Sequence, residues 1–411
     1  MPERELKVLL LNEFFYPDNQ GGTATATSNI ASRLHHRHQA RVTAITGRFA
    51  YRDPNIRYPA KEQWDGIEIH RVPSPNWSRE RTLKRFAGNL LFAHSVAWRA
   101  LTLPRPDVTL VTTAPLTLPI AAGMLKLLRG VPYVYLVYDL DPDRTVALKV
   151  MEPSSKAVRW MRRYQAAWLH GASSVIAIGR CMKDRLVRDY RLPPEKVAVV
   201  EVGADPDVVR PLPKATSFRQ RHGIEGFVVL YSGNFGQYHD FETILGAAER
   251  LQEEAPDVTL VLVGGGHKKK EVEQAVALRG LRNVRIFPFV PEEELADLLA
   301  SGDMNLVTLE PGMEGLCVPS KFYTCLASGR PTLALMAGEV EVSRVIDEAD
   351  CGARVEIGDV EGMVREILQA RDDPARLDEQ GCRARAVFER LYTIDKVVEK
   401  LYATLAKGAG R

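Results

Sequence analysis

Short apolar runs alternate with amphipathic helical patterns along the whole chain, and this alternation restricts the fold to parallel sheets joined by crossover helices. The runs are near-continuously apolar, as expected for strands that are covered on both faces. In the first half, strands are predicted at Lys7–Asn12, Ala40–Thr46, Asp107–Thr113, Tyr133–Asp139, Ser174–Gly179 and Val197–Gly203. In the second half, strands are predicted at Phe227–Gly233, Thr259–Gly265, Val284–Phe289, Met304–Leu309, Pro331–Met336 and Ala353–Ile357.

The length of 411 residues exceeds what one core of ordinary size accommodates, so two α/β domains are expected. A proline-rich stretch without clear periodicity, 205–218, marks the break between them. We predict an N-terminal Rossmann-like domain at 1–205, a linker at 206–222, a C-terminal Rossmann-like domain at 223–388 and a C-terminal helix at 389–411 that packs back on the first domain. Ligands of doubly wound parallel sheets bind beyond the carboxyl ends of the strands, so two such domains facing each other would form one cleft.

The apolar segments are too short to cross a bilayer, since the longest, Pro115–Leu125, ends at Lys126. The opening residues hold only a short apolar run that is predicted to be a strand, and no signal peptide is expected. Five scattered cysteines without metal-ligand spacing fit a reducing compartment rather than a disulfide framework. We therefore expect a cytoplasmic protein.

The two halves of the chain carry opposite net charge: +11 for residues 1–205 and −8 for the remainder. A basic first domain suggests an anionic partner, such as lipid headgroups or a phosphorylated acceptor, although plain solubilising surface charge would also give this balance. Basic residues interleave with aromatic and leucine residues in 76–98 and 154–171, which suits helices lying on an anionic membrane. The alternative is that both segments are ordinary crossover helices. Nucleic acid is not expected, because no recognised nucleic-acid motif accompanies the charge.

Glycine-containing turns follow several of the predicted strands and could let a backbone approach a phosphate closely. Gly21-Gly22 precede the first helix, and Gly233 and Gly236 bracket a turn after the first strand of the second domain. A further turn, Gly264–Lys270, contains Gly265 and ends in three lysines. Neither a Walker A loop nor a GxGxxG fingerprint is present.

The segment Gly312–Leu335 contains the strongest local signal for anion binding. A helix that opens at Pro319-Ser320-Lys321 combines N-terminal proline, a potential serine cap and a cation. In the first domain, Asp139 at the carboxyl end of a strand is the carboxylate we favour for substrate contact. The alternate spacing of Asp139, Asp141 and Asp143 resembles a calcium loop, but the glycine and glutamate of that loop are missing, and no metal ligands are assigned.

Six segments in a fixed order resemble family 4 glycosyltransferases of the GT-B fold, particularly the bacterial polysaccharide and lipopolysaccharide enzymes, over essentially the whole chain. They are FFYPDNQGGT, YDLDPD, SGNFG with DFETIL, LVLVGGG, IFPFVPEEELADLLASGDMNLV and PSKFYTCLASGRP. The resemblance implies transfer of a sugar from a nucleotide-sugar donor, with UDP or GDP as the expected nucleotide, to a glycan or lipid-linked acceptor. It also implies retention of anomeric configuration, no metal and no further cofactor, and contact with the cytoplasmic membrane would be peripheral.

The same resemblance assigns residues to the donor site. Gly22 would approach the donor phosphate, Gly233 and Asn234 stand where relatives place an arginine, and His239 stands where they place a lysine. Ser320 and Lys321 would lie beneath the phosphates. The candidate catalytic residues are thus Gly22, Tyr138 and Asp139, and the candidate donor-binding residues are Gly21, Gly233, Asn234, Gly236, His239, Gly265, Glu314, Ser320, Lys321 and Thr324.

The chain also departs from the family pattern. Relatives carry two glutamates where this chain has Leu316 and Thr324, with Glu314 close by, and they often have a histidine at the position of Tyr138. These departures leave two alternatives open, a sugar-nucleotide 2-epimerase of the GT-B fold and a catalytically degenerate nucleotide-sugar binding protein.

Overall fold

The computed structural model describes residues 5–18, 22–50, 53, 55–74 and 82–411. The chain forms two compact units, the first of which combines Met1–Val202 with Gly315–Cys317 and Ile394–Arg411. The second unit consists of Gly203–Glu314 and Val318–Thr393. Each unit is built on one sheet, so the prediction of two Rossmann-like parallel-sheet domains is confirmed.

The first unit contains an eight-stranded sheet in the order β3-β4-β2-β1-β5-β6-β7-β8. Its strands are β1 (Lys7–Leu11), β2 (Arg41–Gly47), β3 (Lys61–Trp64), β4 (Ile67–Val72), β5 (Val108–Thr112), β6 (Tyr133–Val137), β7 (Ser174–Ala177) and β8 (Val197–Val199). All neighbouring strands are parallel except β3, which is antiparallel to β4. Every residue of β5, β6 and β7 is buried, as expected for a sheet covered on both faces.

The hairpin of β3 and β4 was missed by the sequence analysis. Its edge strand, KEQW, is polar and partly exposed, so it lacks the apolar run that identified the other strands. A turn signal is nevertheless present, because Asp65 and Gly66 both have positive φ and Asp-Gly is a preferred hairpin turn.

Helices connect the strands of the first unit. They are α1 (Gly22–His38), α2 (Thr82–Thr102), α3 (Pro119–Arg129), α4 (Asp143–Ala147), α5 (Lys156–Gly171) and α6 (Arg180–Asp189). Helix α2 packs on α3, and α3 packs on α5, so these three helices form one layer. The chain reverses direction across the sheet after β4, and right-handed crossovers therefore place this layer on the face opposite α1.

The second unit contains a six-stranded, fully parallel sheet in the order β11-β10-β9-β12-β13-β14. Its strands are β9 (Phe227–Asn234), β10 (Val258–Gly265), β11 (Val284–Phe287), β12 (Met304–Leu309), β13 (Thr332–Met336) and β14 (Gly352–Val355). Its helices are α7 (Ser217–His222), α8 (Glu242–Glu254), α9 (Lys269–Arg279), α10 (Leu295–Ser301), α11 (Lys321–Ala327), α12 (Glu341–Ala349), α13 (Val360–Asp372) and α14 (Pro374–Val387). The strand order reverses at β9, which makes its carboxyl end the topological switch point.

The last helix, α15 (Ile394–Gly408), belongs to the first unit. It packs on α1, β5 and β6. Tyr402 stacks on His38 with ring centroids 4.3 Å apart, and Asp395 accepts a hydrogen bond from Arg37 at 3.0 Å. Among the described residues, no helix is long and apolar enough to span a membrane.

Asp303 joins α7, which lies in the predicted linker, to the sheet of the second unit. Its buried carboxylate accepts hydrogen bonds from Arg219 at 2.5 Å and from the backbone of Val228 at 2.8 Å, and it pairs with Lys214 at 3.1 Å. The free energy of unfolding should fall by about 3 kcal/mol in Asp303→Ala, because two cations and a buried N–H lose their acceptor. Urea denaturation measures this loss.

Asp378→Ala is the matched control, since Asp378 is exposed and its ion pair with the same Lys214 is long, at 3.8 Å. Its cost should stay below about 0.5 kcal/mol. Equal losses in the two variants would contradict a structural role for the buried carboxylate.

Candidate functional site

The hydroxyl of Tyr231, at the switch point of the second unit, gathers three polar groups. Tyr231 lies in β9 and is fully buried. Its oxygen is 2.7 Å from Nζ of Lys321, 2.5 Å from the carbonyl oxygen of Asn234 and 2.9 Å from Nδ1 of His239. The structure therefore brings together three of the predicted donor-site residues around a tyrosine that the sequence analysis did not single out.

Lys321, the first residue of α11, directs its ammonium inward. Nζ lies 3.8 Å from the centre of the Tyr231 ring and donates a hydrogen bond to its hydroxyl. Burial lowers the pKa of Lys321 to about 7, because the surroundings compensate little of the charge. Gly233 has φ +145°, and a Cβ there would lie 3.0 Å from Nζ, so glycine leaves room for the ammonium.

His239 does not replace the lysine of the relatives as a cation. The ring is buried, and Nδ1 accepts from the backbone N–H of Gly236 at 3.2 Å. Burial, and then the nearby charge of Lys321, hold the pKa of His239 well below its usual value, so the imidazole is neutral at pH 7.

Lys268 supplies a second cation at this loop. Its Nζ donates to the carbonyl of His239 at 2.7 Å and pairs with Glu310 at 3.2 Å. The lysine run after Gly266 was the available signal, but the sequence does not tell which of its members turns toward the site.

The glycines after β10 hold two loops together. A Cβ at Gly264 would lie 1.8 Å from the carbonyl oxygen of Gly233, and one at Gly266 would lie 2.2 Å from Oδ1 of Asn234. The carbonyl of Gly265, a residue predicted to bind the donor, accepts a backbone hydrogen bond from Phe235 at 2.8 Å. Close backbone packing therefore explains the glycines of this turn.

The helix start at α11 differs from the prediction. Ser320 is exposed, has helical backbone angles and makes no capping hydrogen bond, so the predicted serine cap is absent. The hydroxyl of Thr324 donates to the carbonyl of Lys321 at 2.7 Å, and Glu314 accepts from the backbone of Gly312 at 3.0 Å. These three side chains do not contact the Tyr231 hydroxyl.

In the first unit, Asp139 follows β6 and shares Arg144 with Asp141. Arg144 contacts Asp139 at 2.6 Å and Asp141 at 2.9 Å. Burial raises the pKa of Asp139, and the guanidinium of Arg144 partly offsets this rise. The backbone N–H groups of Tyr138 and Asp139 lie 3.2 and 3.4 Å from the hydroxyl of Thr113, so β5 and β6 position the turn together.

Tyr138 is buried, and its hydroxyl has no hydrogen-bond partner among the described residues. Burial raises the pKa of this phenol, which is therefore a neutral donor. A neighbouring segment was missed by the sequence analysis: the carbonyl of Leu316 accepts from the backbone of Leu140 at 2.9 Å. Burial raises the pKa of Cys317, next in the chain, to about 12, which keeps its thiol protonated.

The remaining predictions concern the loop after β1 and metal binding. Gly21 lies outside the described residues, and Gly22 is the first residue of α1. Among the described residues, no group of three or more His, Cys, Asp or Glu side chains is arranged to hold a metal ion.

The two tyrosines allow a matched comparison. Tyr231→Phe should lower the free energy of unfolding by about 1.5 kcal/mol, because Lys321 loses its acceptor and the Asn234 carbonyl loses its donor. Tyr138→Phe removes a buried hydroxyl without a partner and should change stability by less than about 0.5 kcal/mol. Differential scanning calorimetry of both variants tests this contrast, and an equal shift would show that the Tyr231 network does not stabilise the fold.

Comparison with known proteins assigns both units to one family. Residues 21–203 match the model of the glycosyl transferase 4-like domain, and residues 226–373 match that of glycosyl transferases group 1. The chain is 29% identical to a probable glycosyltransferase, WbjE, of Pseudomonas aeruginosa over 94% of each chain. It is 32% identical to the putative colanic acid biosynthesis glycosyl transferase WcaI of Escherichia coli K12 over 41% of this chain and 40% of that protein.

Solved structures show the same fold. A sucrose-phosphate synthase from Thermosynechococcus elongatus superposes with a TM-score of 0.78 at 15% identity, covering 98% of this chain and 99% of that one. HepE of Anabaena, solved with UDP and glucose, superposes with a TM-score of 0.73 at 16% identity, covering 98% and 100%. The chain therefore belongs to the family 4 glycosyltransferases and has their GT-B fold.

Proposed function

We propose that this glycosyltransferase moves a hexose from a UDP- or GDP-sugar to a glycan or lipid-linked acceptor, with retention of configuration and without a metal. The observation that carries the proposal is the desolvated ammonium of Lys321 at the carboxyl end of β9. HepE, which shares the fold, was solved with UDP-glucose, and this supports a nucleoside diphosphate as the anion.

The negative charge that develops on a departing nucleoside diphosphate is complementary to the ammonium of Lys321. Cleavage of the sugar–phosphate bond leaves negative charge on the β-phosphate, and preorganised positive groups stabilise it. Lys321 would supply that charge, with Lys268 beside the same loop as a second source. A phosphate would also relieve the unfavourable burial of the ammonium, so part of the binding free energy would come from Lys321 regaining a counter-charge.

The residues after β6 are proposed to contact sugar hydroxyls. The Tyr138 hydroxyl is a buried donor without a partner in the described part of the chain, which makes it available to a ligand oxygen. Asp139 would accept a hydrogen bond from a sugar hydroxyl while Arg144 contacts its carboxylate and holds it in place. A retaining transfer in which the leaving phosphate takes the proton of the acceptor needs no glycosidase-like carboxylate pair.

Metal independence is tested by assaying transfer in EDTA. Activity should be unchanged, because lysine ammonium groups rather than a divalent cation would balance the diphosphate. The anomeric configuration of the product, determined by NMR, should equal that of the donor.

Loss of transfer in EDTA that manganese restores would contradict the metal-free mechanism, and an inverted product would contradict retention. Tight UDP binding without turnover of any sugar nucleotide would indicate a degenerate binding protein instead.

The affinity for UDP should depend on the protonation of Lys321. The group is charged below about pH 7 and neutral above it, and the diphosphate prefers the charged form. UDP binding should therefore weaken as pH rises through 7, by about tenfold between pH 7 and 8.5, where the terminal phosphate of UDP is already ionised. Isothermal titration calorimetry should also show proton uptake on binding.

Lys321→Met should bind UDP weakly, with little dependence on pH and no proton uptake. Lys270→Met, which removes an exposed lysine of α9, is the matched control and should keep the wild-type profile. A Lys321→Met protein that binds UDP as tightly as wild type at pH 7 would place the diphosphate elsewhere.

A further inference from the structure

Helices α2, α3 and α5, here called the acid-free layer, contain no Asp or Glu. Lys and Arg account for three of the 21 residues of α2, two of the 11 of α3 and four of the 16 of α5. Charged residues make up 26% of the whole chain and are nearly balanced in sign. The charged residues of this layer of three helices are all basic, whereas basic and acidic residues are nearly equal in number in the whole chain.

The outward side of α3, the central helix of the acid-free layer, is apolar. Ile120 and Met124 are partly exposed, and Leu127 and Leu128 are 84% and 60% exposed. Positions 120, 124, 127 and 128 follow helical spacing, so these side chains form one stripe. A surface helix of a soluble protein normally places polar residues on such a stripe. The exposed apolar surface thus indicates a partner.

Both helices that pack on α3 expose an aromatic residue. Trp98 of α2 is 74% exposed, and Trp160 of α5 is 55% exposed. Trp160 stacks on Tyr164, which contacts Trp168, and Trp168 leaves no room for a Cβ at Gly123 of α3. Packing within α5 and against α3 therefore holds Trp160 and Trp168 in place. An apolar ring with a polar N–H favours the boundary between a membrane and water.

Helix α5 adds uncompensated positive charge. Lys156, Arg159 and Arg163 are exposed, and their side chains make no hydrogen bond or ion pair with any residue in the described part of the chain. Arg162 on the same helix does pair with a carboxylate, Asp143, at 2.6 Å. Three free cations beside an apolar stripe match the composition of an anionic lipid surface, which offers phosphates above acyl chains.

We propose that the acid-free layer docks on an anionic lipid bilayer, with Leu127, Leu128, Trp98 and Trp160 entering the interface and the basic residues of α5 contacting headgroup phosphates. A second copy of this chain fits less well, because the same basic faces would then oppose each other. The inference goes beyond sugar transfer. It rests on the proposed function only in that a lipid-linked acceptor would explain why the enzyme docks on a membrane. Vesicle binding is measured without turnover, so the two proposals fail independently.

Flotation of the full chain with phosphatidylcholine vesicles, with and without phosphatidylglycerol, tests the proposal. Binding should require phosphatidylglycerol at low salt and weaken at high salt, because surface charges are screened. Leu127→Glu should weaken binding by roughly tenfold or more, since it removes an inserted side chain and adds a repelled charge. Leu278→Glu is the control, because Leu278 is a 90% exposed leucine near the end of a helix in the other unit.

The basic residues are tested by the double variant Arg159→Ala/Arg163→Ala. Each basic residue near an anionic leaflet contributes about 1 kcal/mol, or about fivefold, so vesicle affinity should fall by about 25-fold. Lys270→Ala/Arg282→Ala removes two exposed positive charges of the second unit and should leave binding unchanged.

Three outcomes would overturn the proposal. They are no binding at low salt, equal binding to neutral and anionic vesicles, and equal losses in the layer and control variants. A dimer in light scattering that Leu127→Glu dissociates, together with absent vesicle binding, would identify the layer as a self-association surface. Transfer to a water-soluble acceptor should be unaffected by Leu127→Glu, which separates membrane docking from catalysis.

Discussion

The contact between the Lys321 ammonium and Tyr231 is the constraint around which the second unit's site is arranged. Among the described residues, the partners of this desolvated cation are a hydroxyl and an aromatic ring, which compensate its charge poorly, and its pKa therefore falls to about 7. The same contact explains the glycine at position 233, because a side chain there would occupy the space of Nζ. Under the proposed function, a donor diphosphate would meet this cation at the strand end where parallel sheets bind ligands.

The sequence predicted those elements of the fold whose residues are buried, because burial requires a run of apolar residues. Strand β12 has the predicted bounds, since a fully buried strand leaves a clear apolar pattern. The edge strand β3 was missed because it is partly exposed to solvent, and an exposed strand does not need a run of apolar residues.

The sequence indicated the site loops but not the direction of their side chains. His239 was placed in the correct loop, yet its ring is buried and neutral. Ser320 lies at the expected helix start, yet its backbone is helical and no cap forms. Contacts that join distant segments, such as Tyr231 with Lys321 or Leu140 with Leu316, leave no local pattern. Side-chain orientation depends on backbone angles and packing partners, which composition and spacing do not specify.

The charge asymmetry acquires its meaning only from three-dimensional placement. A net charge of +11 in the first half could be spread over its whole surface, and it would then report nothing beyond solubility. Carboxylates of the first unit instead pair elsewhere, as Asp139 and Asp141 do with Arg144, while α2, α3 and α5 have none. The layer that carries the exposed apolar stripe of α3 is therefore also one that has basic residues and no carboxylates. Charge and hydrophobicity that coincide on one surface are the combination that reversible membrane contact requires.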